Sequence, residues 1–159
     1  MVVYATLVAL LITLLVDTSL SVAKMQKESF VYFNLNSAAM TAFSRFSRDI
    51  KRAASIDLVR SIINTHPGKL ILQIRKPDGT YDETSFYMRG DVVATDFNGA
   101  YLGDLTPDGI VVSNLTFKPF DTASSSAVRV EMTVRPRDTS LIAALNFYGT
   151  YTLRGSYIE

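Results

Sequence analysis

The chain has 159 residues, sixteen basic and fifteen acidic side chains, a single histidine and no cysteine, for a formal net charge of +1 at pH 7. Without cysteine there is neither a disulfide framework nor a thiolate metal site, and the lone His66 excludes a multi-histidine metal cluster. A net charge this close to zero supplies no global field to recruit nucleic acid or an anionic surface. Residues 1–60 nevertheless carry seven basic and four acidic groups against nine and eleven in the remainder, a bias that bears on orientation at a membrane.

The length fits about one domain. No glycine or proline occurs in the first 66 residues, and the two punctuating residues first appear together at Pro67-Gly68. This predicts one continuous helix to about Ala54, roughly 80 Å long at 1.5 Å per residue. Its opening, Val2–Val16, reads VVYATLVALLITLLV, fifteen residues. A bilayer span needs about 17 or more. A secretory signal peptide is the alternative, with Ser19, Ser21 and Ala23 imitating a cleavage site, but no basic residue precedes the apolar run. The expectation is instead that the sequence starts inside a hydrophobic segment, a few residues lying upstream.

Beyond Asp17, apolar residues recur at Val31, Leu35, Ala39, Ala42, Phe46, Ile50 and Ala53, one stripe of a 3.6-residue helix. The opposite face is assigned Lys24, Lys27, Arg45, Arg48, Asp49, Lys51 and Arg52, with the cluster Arg45–Arg52 read as a solvated face. Ser37-Ala38-Ala39 is small enough to admit a close-packed backbone.

After Pro67-Gly68 the period changes to two. Lys69–Arg75 (KLILQIR) is a strand, and Pro77-Asp78-Gly79 a turn. Glu83–Arg89 and Asp91–Asp96 read as a hairpin about Gly90, and Asn98-Gly99 and Pro107-Asp108-Gly109 as further turns. Ile110–Phe120 and Ala127–Arg135 are long strands joined by the polar loop Asp121–Ser126, and Phe147–Arg154 is a last strand. The fold class is therefore α+β: a long N-terminal helix packed on one face of an antiparallel sheet of five to seven strands. Residues 1–23 form the apolar half of the helix, 24–66 its amphipathic half and exit, and 67–159 the β-sheet head.

Motifs of catalysis are missing: no P-loop, GxGxxG, GxSxG or HExxH occurs. Asp82-Glu83 falls at a turn, where carboxylates serve solubility, and His66 falls in a loop. Asn114-Leu115-Thr116 matches a glycosylation acceptor but lies within a strand. Phe86, Tyr87, Phe117, Phe120, Phe147 and Tyr151 are placed in the sheet core rather than on a base-stacking platform. No enzyme activity, cofactor, metal or nucleic-acid partner is expected.

An apolar helix, an unbroken amphipathic extension and an antiparallel sheet together resemble type IV pilins and pseudopilins. MVVYATLVALL (Met1–Leu11) looks like the stretch that follows the processed pilin N-terminus, which places about six residues upstream of Met1. FSRFSRDIKRAASI (Phe43–Ile56) is similar to the helix end of minor pilins and J/W-type pseudopilins. FYMRGDVV, VSNLTFKPF and YTLRGSY extend the likeness, nearest to prepilin-type proteins of candidate-phyla bacteria, over nearly the whole chain. The resemblance implies a structural filament subunit, processed by a prepilin peptidase and methylated. It would be held in the inner membrane before assembly machinery moves it into a surface pilus or a periplasm-spanning pseudopilus beside other pilin subunits. Adhesion, DNA uptake and type II secretion are among the roles of that family.

On that resemblance Val2, Val3, Leu7, Leu10, Leu11, Leu14 and Leu15 make the filament-core and membrane surface, and Val31, Leu35, Phe46 and Ile50 join helix to head. The chain departs from the family in three respects. Ala5 stands where the numbering would put the family's glutamate, the apolar helix has no loosening glycine or proline, and the C-terminal cysteine pair is absent. The rival readings are a single-pass anchored extracytoplasmic binding domain that does not polymerise, and an enzyme on a membrane stalk.

Overall fold

The structure is a computed structural model that describes residues 2–121, 126–138 and 143–154. Helix α1 runs from Val2 to Arg52, 51 residues without a break, or about 77 Å. It stops two residues short of the position expected from sequence. There the Ala53 amide is shared between the Asp49 and Ile50 carbonyls, and the Ala54 amide turns away to the Gln73 carbonyl of the sheet. The Arg154 amide donates to the Lys51 carbonyl at 3.2 Å, meeting one of the acceptors that a helix C-terminus leaves open. Lys51 and Arg52 in the last turn suit the negative end of the helix dipole.

The helix packs on two antiparallel sheets rather than the single one expected, and the described residues hold eight strands rather than five to seven. The first sheet has the order β1 (Ser55–Ile56), β2 (Lys69–Arg75), β3 (Tyr81–Arg89), β4 (Val92–Phe97), β5 (Ala100–Asp104). The second has the order β6 (Ile110–Asp121), β7 (Ser126–Pro136), β8 (Leu145–Thr152). Two strands are not legible in the sequence. β1 is two residues long and falls in the helix-exit segment, and β5 is largely exposed, so neither prints an apolar alternation. The β4–β5 turn is legible: Asn98 (φ 50°) and Gly99 (φ 79°) both take the positive φ that a type I′ hairpin requires. Residues 122–125 of the DTASSS loop and the end of the YTLRGSY segment lie outside the described residues.

The segment 62–68 ties the sheets together. The Asn64 and Gly68 amides donate to the Phe117 and Leu115 carbonyls, each at 2.9 Å, and the Leu115 amide donates to His66 Nδ1 at 3.0 Å. These bonds cover the outer edge of β6, which would otherwise be open to strand addition. Glycine is required at 68, because a Cβ there would stand 2.9 Å from the Leu115 carbonyl oxygen.

The core is a single cluster to which α1 contributes Leu35, Ala38, Ala39, Ala42, Phe43, Phe46 and Ile50. Phe46 is its centre. Its ring meets Phe86 of the first sheet at 5.0 Å and Phe117 of the second at 5.9 Å, both edge-to-face, the arrangement that aromatic quadrupoles favour. Of the other aromatics assigned to the core, Phe147 and Tyr151 lie at its margin. Tyr87 is half-buried, its hydroxyl donating to Asp96 at 2.9 Å, and Phe120 is 43% exposed. Phe120 has the parity of Lys118 and not of the buried Leu115 and Phe117, so it lies on the face of β6 away from the core.

Candidate functional site

Two halves of one helix have opposite surroundings. From Val2 to Phe30 no side chain is buried, and the first buried position is Leu35. An 18-residue window of this half has a mean hydropathy of 2.0 and is wholly uncovered. Eighteen helical residues extend for about 27 Å, close to a hydrocarbon thickness of about 30 Å. By length and composition, α1 is long and apolar enough to cross a membrane.

Three threonine hydroxyls of this half are satisfied within the helix. Thr6, Thr13 and Thr18 donate their hydroxyls back to the carbonyls of Val3, Ala9 and Leu14 at 2.9, 2.9 and 2.6 Å. Each hydroxyl is thereby satisfied inside its own helix, as a spanning segment requires. Val2, Val3, Leu7, Leu10, Leu11, Leu14 and Leu15 all stand exposed, Leu11 at 58% and Leu15 at 65%. Uncovered apolar surface continues past them at Val22, Met25, Phe30, Tyr32 and Phe33.

Of the four residues assigned to the helix–head contact, Leu35, Phe46 and Ile50 are in the core, while Val31 is half-buried against its margin. One assignment on this half is corrected. Asp49, placed on the solvated face by its spacing, is 3% exposed. It is held there by Arg45, whose Nε donates to Asp49 Oδ2 at 2.7 Å, with Arg48 Nε 3.5 Å from Oδ1. Two guanidinium groups offset the desolvation of one carboxylate. Part of the basic stripe is thus internal structure, while Lys51 and Arg52 remain exposed.

Where α1 leaves the head, a groove of about 660 Å³ opens between Val31, Leu35 and Ala38 on the helix and Leu105, Pro107, Ile110 and Pro136 on the head. Periodicity along the helix marks Val31 and Leu35. The opposite wall comes from the β5–β6 connection and the end of β7, and no local pattern could have joined them.

Several side chains capable of acid–base chemistry are engaged in surface pairs. Asp82 accepts from Lys76 at 2.6 Å and from Asn98 Nδ2 at 2.8 Å, and the Lys76 bond, more than any other influence, holds its carboxyl below the usual range. Its neighbour Glu83 bonds Arg60. Asp104 is likewise held low by Arg89, and Glu131 by Lys118. Among the described residues no group of three or more His, Asp or Glu side chains is placed to hold a metal ion. The arrangement lends itself to burial of apolar surface against something else.

No protein-family model, no curated protein and no solved structure matches the chain.

Proposed function

We propose that this chain is a structural subunit of a filament of the type IV pilus or pseudopilus kind, assembled through its apolar N-terminal helix. The observation that carries the reading is the uninterrupted run of α1 from a wholly uncovered apolar half into a half whose stripe is the core of the head. A membrane anchor alone needs no rigid connection to its domain. A continuous helix instead fixes the direction of the apolar rod relative to the head, as a regular polymer requires.

Apolar side chains count about 25 cal/mol per Å² whether they leave water for lipid or for protein. The same surface can therefore sit in a bilayer before assembly and against neighbouring helices afterwards, at little net loss. Surface-sheared material from cells producing the full chain, imaged by electron microscopy and probed for this protein, tests the reading. Filaments containing the protein, lost in a Leu11→Asp variant whose head still folds, are expected. Protein confined to the membrane fraction as a monomer in detergent would establish a non-polymerising anchored domain instead.

A further inference from the structure

Directly after β1 the chain makes a tightly bonded turn. Asp57 Oδ1 accepts the amides of Val59 and Arg60 at 3.1 and 3.0 Å, and the Ser61 amide returns to the Asp57 carbonyl at 3.1 Å. Arg60 spans Asp57 and Glu83, and the Ile71 amide donates to Ser61 Oγ at 3.0 Å. All this order serves to hold two aliphatic side chains in water: Val59 is 95% exposed and Leu58 47% exposed. A rigid apolar projection has lost its conformational freedom in advance, which is how a binding surface lowers the entropy cost of docking.

This turn stands at the C-terminal end of the helix, and the groove lined by Val31, Leu35, Leu105, Pro107, Ile110 and Pro136 at the opposite end of the head. Val31 and Arg52 are about 30 Å apart along the helix axis. We propose that copies of this chain dock head to tail, the Leu58–Val59 turn of one subunit entering the groove under the head of the next. The proposal rests on the filament reading and assigns its axial contact.

Three features select a second copy as the occupant. The groove's walls are mainly apolar, with Val31, Leu35, Leu105 and Pro136 beside polar Asn34 and Ser37, and its volume of about 660 Å³ admits two aliphatic side chains with room to spare. The turn pole exposes Lys51 and Arg52, whereas the groove is lined by Asp108 and Asp138 beside one cation, Arg137, which is paired with Asp91, so the facing poles differ in charge. A projection and a groove on different surfaces make a heterologous contact, which builds an open helical filament when its rotation does not close. A step along the helix axis combined with a sideways offset, so that residues 2–30 of one copy run beside the head of the next, keeps every α1 near parallel with its apolar half on the same side, whereas an antiparallel two-fold pair would reverse one helix.

Because the chain has no cysteine, the double variant Val59→Cys with Pro107→Cys creates a disulfide pair without competitors. A bond forms only if the two Cβ atoms approach to about 3.5–4.5 Å. Sheared filaments of the full-length variant, oxidised and run without reductant, should give a ladder of covalent oligomers. Either single variant should stay monomeric, because a heterologous contact brings no residue against its own copy. As a second measurement, Val59→Asp should lower filament yield by about tenfold, the factor that corresponds to about 1.4 kcal/mol, with the thermal melting of the head unchanged. Filaments of the double variant that give no ladder, or Val59→Asp filaments at wild-type yield, overturn the docking and leave the filament reading standing. Protein found only in membranes, with neither filaments nor ladder, overturns both.

Discussion

Phe43 of the helix lies so close to Gly149 of β8 that a Cβ on Gly149 would stand 2.9 Å from two atoms of the phenylalanine ring. The same Cβ would be 2.6 Å from the Tyr151 hydroxyl. Glycine inside a strand ordinarily weakens it. In this strand it provides the hollow in which an aromatic ring of the helix rests, and so sets how near α1 comes to the second sheet. Gly149→Ala should destabilise the head by about 1–3 kcal/mol, the usual cost of overpacking. Denaturant unfolding of the full chain in detergent measures this, and a change within error of zero would show that helix and sheet can separate freely.

Asp49 makes a second, polar fastening on the same half of the helix. Asp49→Asn keeps the shape but removes the charge that Arg45 and Arg48 answer. A lost charge-assisted bond of this kind costs about 1.5–3 kcal/mol, and Arg45 is itself largely covered, at 27% side-chain exposure. The expected result is a lower unfolding midpoint without loss of helix content by circular dichroism. An unaltered midpoint would reassign Arg45 to solvent.

Acid should loosen the head. Hydrogen bonds from Arg60, Lys76, Arg89 and Lys118 hold the carboxyls of Asp57, Asp82, Asp104 and Glu131, respectively, below their ordinary range. A depressed folded-state pKa stabilises the fold above the unfolded values of about 4, and that contribution disappears as pH falls through the lower folded values. Melting temperature should therefore be level from neutral pH to about 5 and decline below about 4. These pairs are at the surface, so the decline should be shallower in high salt. A flat profile down to about pH 2 would contradict the assignment of these pairs.

Leu11→Asp separates the two halves of the helix experimentally. A carboxylate near the middle of a spanning segment disfavours insertion by about 2.5–3.5 kcal/mol, while Leu11 touches nothing in the head. The variant should be released from membranes by alkaline extraction with the melting of its head intact. A coupled loss of head stability would mean that the apolar half packs on the head in solution.

Much of this architecture is legible in the order of the amino acids. The helical apolar spacing up to Ala53, within a stretch free of glycine and proline, defines α1 to within two residues at its end, and the alternation of KLILQIR defines β2 with its limits intact. Strands β6 and β7 are nearly as clear, because long half-buried strands repeat their period often enough to be read. Short β1 and exposed β5 have no such repeat. Asp49 is misplaced by periodicity for a related reason: a helical wheel scores side chains one at a time, and a carboxylate becomes buriable only through its partners.

The sequence by itself thus determined what is local and periodic: a continuous helix, apolar in its first half and striped in its second, followed by antiparallel strands. Tertiary structure alone decided that the strands form two sheets sharing Phe46, that β6 is covered by the 62–68 segment, and that Asp49 lies inside. It also decided that Val31 and Leu35 face Leu105, Pro107 and Pro136 across a groove. The physical reason is range. Helix and strand periods arise from bonds between near neighbours, whereas sheet partners, ring contacts and groove walls join residues tens of positions apart, whose meeting depends on the packing of the whole chain.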